Sequence, residues 1–148
     1  MKTNKFEILQ VRELPSTIAR DNAVKKDDIA RSQWSYLVVF QHQEGNEAVA
    51  LHVSLRCQTT NETVLLQEGV TLIARIEGWK EMAKDDKSLK GDERIMALVD
   101  YGLSFVEGMS YRHISGTVIN SVTPPHITAA TIMENVVIDA KAKQVVNA

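Results

Sequence analysis

The sequence predicts an α+β domain, a four-stranded antiparallel sheet packed with one long helix and a shorter C-terminal helix. Three observations carry this. Val49, Leu51, Val53, Leu55 and Cys57 alternate with Ala50, His52, Ser54, Arg56 and Gln58, the period of a strand. Ile95, Leu98, Val99, Val106 and Met109 recur at the spacing of a helix. A charged connection, Lys84 to Gly91, separates the two patterns, and Gly116 closes the second.

Phe6, Ile8 and Val11 predict a short first strand, which Leu14-Pro15 interrupts because proline has no amide to donate to a ladder. Ser16 to Arg31 is polar and mixed in charge, and reads as a loop with one helical turn. In the second strand Trp34, Tyr36, Val38 and Phe40 share one face while Leu37 and Val39 share the other. Gln43-Glu44-Gly45-Asn46 supplies a turn into the alternating third strand, and Thr59-Thr60-Asn61-Glu62 a turn into a fourth. That fourth strand runs from Val64 to Ile76, with Gly69 as a bulge or bend. Four consecutive strands with short links favour an antiparallel meander.

Asp92 and Glu93 stand at the positive end of the long helix, and Arg112 and His113 at its negative end. Gly102 falls within its apolar stripe, where a missing side chain lets another backbone approach closely. Thr117 to Val122 reads as an extended link stopped by Thr123-Pro124-Pro125. A second helix is expected from about Pro125, on a weaker stripe of Ile127, Ala130, Met133 or Glu134, and Val137, with frayed residues from Lys141 to Ala148.

A length of 148 residues with 44% apolar and 24% charged residues suits a single domain, residues 1–148, that can bury a core. The net charge of -2, from 17 basic and 19 acidic residues without a block of either sign, argues against nucleic acid as a partner. The start carries no apolar run of signal-peptide length and no segment approaches a membrane span, so a cytoplasmic location without membrane insertion is expected. One cysteine, Cys57, leaves no internal disulfide and reads as a small strand residue.

Catalytic chemistry finds no foothold, and the sequence predicts no enzyme, no metal and no cofactor. His42, His52, His113 and His126 lie on different elements without ligand spacing; His113 reads as a helix C-terminal partner and His52 as an outward strand residue. Neither glycine-rich phosphate motif occurs. Glu77, Glu81, Asp85 and Asp86 read as a solvated loop. The unusual feature is apolar surplus: both faces of the second strand need cover, which a second copy, an external apolar ligand or the monomer itself could supply.

Gly69-Val70-Thr71-Leu72-Ile73-Ala74-Arg75-Ile76-Glu77-Gly78 resembles the strand of the SecB export chaperones in which a glycine, an apolar run and Ile-Glu-Gly precede the main helix. Gly116-Thr117 to Pro124-Pro125 resembles that family's link after the helix, Phe6-Glu7-Ile8 its first strand, and Trp34 with Val38 the entry to its second. The resemblance implies a cytoplasmic, ATP-independent holdase of protein export and transport that binds unfolded or precursor polypeptides. It also implies a homotetramer built as a dimer of dimers.

Under that resemblance Trp34, Tyr36, Val38, Phe40, Val70 and Leu72 are candidates for the client surface, with ordinary sheet core as the other role open to each. Val99, Gly102, Val106 and Met109 are candidates for the oligomer interface. The last residues, Asp139 to Ala148, lack the acidic tail by which the family engages SecA, which leaves SecA open as a partner. The alternative is a SecB-like interaction protein with one dedicated partner, as in a toxin-antitoxin-associated chaperone, or an oligomeric structural protein.

Overall fold

Alternation along Val49 to Cys57 becomes a strand whose every second side chain is fully buried, and the neighbouring strands are laid against it in the same phase. The computed structural model describes residues 6–19, 25–42, 48–117, 123–133 and 137–139. Its elements are β1 (Glu7–Glu13), β2 (Thr17–Ile18), α1 (Lys26–Ala30), β3 (Gln33–His42), β4 (Ala48–Gln58), β5 (Val64–Arg75), α2 (Trp79–Met82), α3 (Asp86–Gly91), α4 (Glu93–Ile114), α5 (Ala129–Ile132) and β6 (Val137–Asp139).

Strands β3, β4 and β5 form an antiparallel meander in which side chains meet in rows: Phe40, Leu51 and Leu72; Val38, Val53 and Val70; Tyr36, Leu55 and Glu68. These rows face α4, which packs over β4 and β5 through Ile95, Leu98, Val99, Leu103 and Val106. Fully burying each such side chain is worth about 1.5–3 kcal/mol, so this layer contact dominates the fold. A smaller apolar cluster, Ile29 with Cys57, Leu65, Leu66 and Ile114, closes the far end of the sheet.

The long helix begins and ends where its sequence signals stand. Asp92 accepts bonds from the amides of Arg94 (2.8 Å) and Ile95 (3.2 Å), and Gly116 takes a left-handed φ of 78° just past the last turn. Burial pushes the Asp92 carboxyl up, but the hydrogen bonds and charge of Arg94 together with the Ile95 amide outweigh it and hold the group below the usual carboxylate range.

The sheet departs from the expected four-stranded meander. Among the described residues it has six strands, in the order β1-β5-β4-β3-β6 with β2 also on β5. The first strand lies beside the last of the meander because the polar stretch before β3 is long enough to cross to the open edge of β5. Leu14-Pro15 ends β1 as expected, with the Leu14 amide still reaching Gly69 O at 2.9 Å, but Thr17–Ile18, read as loop, pairs with β5 as β2. Gly69 makes no bulge; it sits in unbroken register opposite Ser54, and a Cβ there would come within 3.1 Å of Leu14 Cδ1. Irregularities fall instead between Ile8 and Gln10 and between Cys57 and Gln58.

The helices also differ from the expected pattern in two places. The stretch after Gly78 holds the short helices α2 and α3, of four and six residues, which drop Trp79 and Leu89 into the core with no exposed surface. So short a helix among charged residues leaves no periodicity to read. The C-terminal helix spans only Ala129–Ile132, and Val137, expected on its stripe, begins the parallel strand β6, whose β-branched Val137-Ile138 favours extended backbone. The expected turn at Gln43 to Asn46 and all but Thr117 of the expected link to Val122 lie outside the described residues.

Candidate functional site

Because α4 sits over β4 and β5, the α4-facing side of β3 lies at the margin of the helix layer. Phe40 there packs against Trp79, with ring centroids 5.6 Å apart. Val38 and Phe40 are buried, as are Val70 and Leu72 on β5, whereas Trp34 and Tyr36 at the other end of β3 are only half-buried against the core. The six client candidates thus divide into four core residues and two accessible aromatics. The indole Nε1 of Trp34 is buried without a hydrogen-bond partner among the described residues.

Residues 123–133 run across this margin. Tyr36 Oη donates to Pro125 O at 2.9 Å, His126 Nδ1 lies 2.9 Å from Glu107 Oε1, and the Ala129 amide donates to Asp100 Oδ1 at 2.6 Å. Asp100 and Glu107, seven residues apart on α4, project along one side of the helix and form the rim. Ala129 and Met133 are buried in the main core, with Ile127 and Ile132 packed beside them. Burial, then the charge of Glu107, then Tyr111 push the Tyr36 hydroxyl up to about 12. It is a hydrogen-bond donor throughout the physiological range.

The interface candidates Val99, Gly102, Val106 and Met109 are all buried, and the first three belong to the layer that packs on the chain's own sheet. Close approach at Gly102 is real, but its partner is Val53 of the same chain. Outward on α4 stand Ala97, Tyr101, Ser104, Gly108 and Tyr111, all exposed and spaced four and three residues apart. Ala97, Asp100, Tyr101, Ser104 and Phe105 line an open cavity of about 510 Å³, with the Tyr101 and Phe105 rings 6.5 Å apart.

The opposite face of the sheet is mixed. Leu37 is 52% exposed and, with Ser35, Tyr36, Ser54, Leu55, Arg56, Gln58 and Gln67, lines a cavity of about 400 Å³. His52 lies on this face between Thr71 Oγ1 (2.8 Å) and Gln41 Oε1 (2.6 Å), and burial lowers its pKa. Burial likewise raises the Cys57 thiol, against a hydrogen bond from Ser32.

Glu68 escaped the sequence reading. It occupies an inward position of β5, in the row of Tyr36 and Leu55, where Ser110 and His113 of α4 both bond its carboxylate and Ser16 Oγ lies 3.4 Å away. The signal was present: a carboxylate in phase with Leu66, Val70 and Leu72 requires polar partners when buried.

No protein-family model matches the chain, and no curated protein matches it. Among solved structures, the chain is similar to the Mycobacterium tuberculosis Rv1957 SecB-like chaperone, solved in complex with a ChAD peptide from the Rv1956 HigA1 antitoxin. The match has 12% sequence identity and a TM-score of 0.42, and covers 83% of this chain and 84% of that one. Among the described residues, no helix is long and apolar enough to cross a membrane.

Proposed function

We propose that the chain is an ATP-independent holdase that binds unfolded or precursor polypeptides on the β3 margin. The observation that carries this reading is the pair Trp34 and Tyr36, half-buried aromatics continuous with the buried core residues Val38 and Phe40. Val38, Phe40, Val70 and Leu72 form the packed floor that orients them. An apolar client segment gains about 25 cal/mol for each Å² it buries there, with little demand on its sequence. No hydrolysis and no cofactor enter the reading.

Self-association supports the same role by placing several margins in one particle. The outward side of α4, with Tyr101, Phe105 and the neighbouring small residues, supplies the surface for it. The purified protein should suppress aggregation of several unrelated unfolded proteins at stoichiometric ratios without ATP, followed by light scattering. Trp34→Ala should weaken that suppression. Absence of suppression by the wild type refutes the holdase, and selective capture of one partner in its place assigns the chain to a dedicated complex.

A further inference from the structure

We infer that residues 123–133 are a built-in occupant of the β3 margin, and that an extended apolar polypeptide binds by taking their place. The inference rests on the holdase reading and says how its site is guarded. The segment Thr123-Pro124-Pro125-His126-Ile127-Thr128-Ala129-Ala130-Thr131-Ile132-Met133 is itself what such a client would be: apolar, without an acidic residue, and regular only over the single turn of α5.

Its attachment combines groups that any polypeptide carries. Tyr36 holds a backbone carbonyl, that of Pro125, and Asp100 holds a backbone amide, that of Ala129. Neither bond depends on the identity of the side chain at that position. Pro124, Ala129 and Met133 are its buried residues, and in the side-chain contact between His126 Nδ1 and Glu107 Oε1 the histidine is 67% exposed. A surface that reads main chain and apolar bulk accepts a foreign segment on the same terms.

Covalent attachment keeps the segment at high effective concentration, so a free peptide competes poorly until the tethered copy is weakened. The probe is a fluorescently labelled peptide of residues 123–133, titrated into the full chain and followed by anisotropy. Met133→Ala alters the tethered copy and leaves the residues of β3 and α4 unchanged in sequence; it should raise affinity for the labelled peptide by about tenfold or more. His126→Ala, at an exposed position that folding tolerates, should raise it by roughly threefold. Equal affinity in the wild type and both variants, or no binding to any of them, overturns the inference.

A reduced, carboxymethylated protein then serves as the client. Displacement of the labelled peptide by that client supports the shared site. A client that binds without displacing the peptide overturns the inference and leaves the holdase reading standing. Peptide binding with no client binding refutes the holdase reading, and with it the client's claim on this site.

Discussion

Gly102 faces Val53 so closely that a Cβ on the glycine would stand 2.8 Å from Val53 Cγ2, with Leu51 Cδ2 and Leu72 Cδ1 each 3.5 Å away. The missing side chain sets the depth at which α4 beds into the sheet. Gly102→Leu should therefore cost about 3 kcal/mol of stability through overpacking, visible as a lowered urea midpoint. Gly102→Ala gains up to about 1 kcal/mol of helix propensity against the same clash, so its loss should be smaller. Val53→Ala should partly rescue the leucine variant; no coupling between the two positions would show that the contact yields freely.

Glu68 ties α4 to β5 through Ser110 and His113, with its side chain wholly buried. Removing the carboxylate leaves both partners without it, so Glu68→Ala should cost about 2–4 kcal/mol. Ser110→Ala alone should cost about 1 kcal/mol. Thermal unfolding of the two single variants and the double variant should show strong non-additivity, and additive losses would contradict a shared network.

Asp92 caps α4 and is held below the usual carboxylate range by Arg94 and the Ile95 amide despite burial. A depressed folded-state pKa stabilises above the unfolded value and loses that contribution as pH falls through the folded one. Asp92→Ala should cost about 1 kcal/mol at neutral pH. The gap between wild type and variant should narrow below about pH 4, and a gap constant down to pH 2 would contradict the electrostatic part.

Tyr101 is 44% exposed on the outward side of α4. Self-association through that side predicts that Tyr101→Glu lowers the solution mass measured by light scattering while leaving the melting temperature nearly unchanged. An unchanged mass would remove this side of α4 from the interface.

Much of the architecture was legible because local periodicity records which side of an element is apolar. The alternation of β4 and the stripe of α4 each located an element, and Asp92 and Gly116 marked the helix ends. Trp34 and Tyr36 were readable as one face of β3, yet nothing local separated them from Val38 and Phe40. That difference is one of packing: Val38 and Phe40 are buried in the main core, whereas Trp34 and Tyr36 lie against it, Tyr36 meeting residues 123–133 at Pro125. Helices α2 and α3 were hidden because so short a helix carries no period.

Apolar spacing and capping act over a few residues, so the strand phase of β3, β4 and β5 and the existence and length of α4 follow from local patterns alone. Long-range packing set β1 beside β5, added β6 in parallel to β3 and brought Gly102 onto its own sheet. The same packing brought Glu68 to Ser110 and His113, and Tyr36 to Pro125. One cause is common to all of these: a pattern states that a surface must be covered, while the covering group is chosen by packing among segments far apart in the chain.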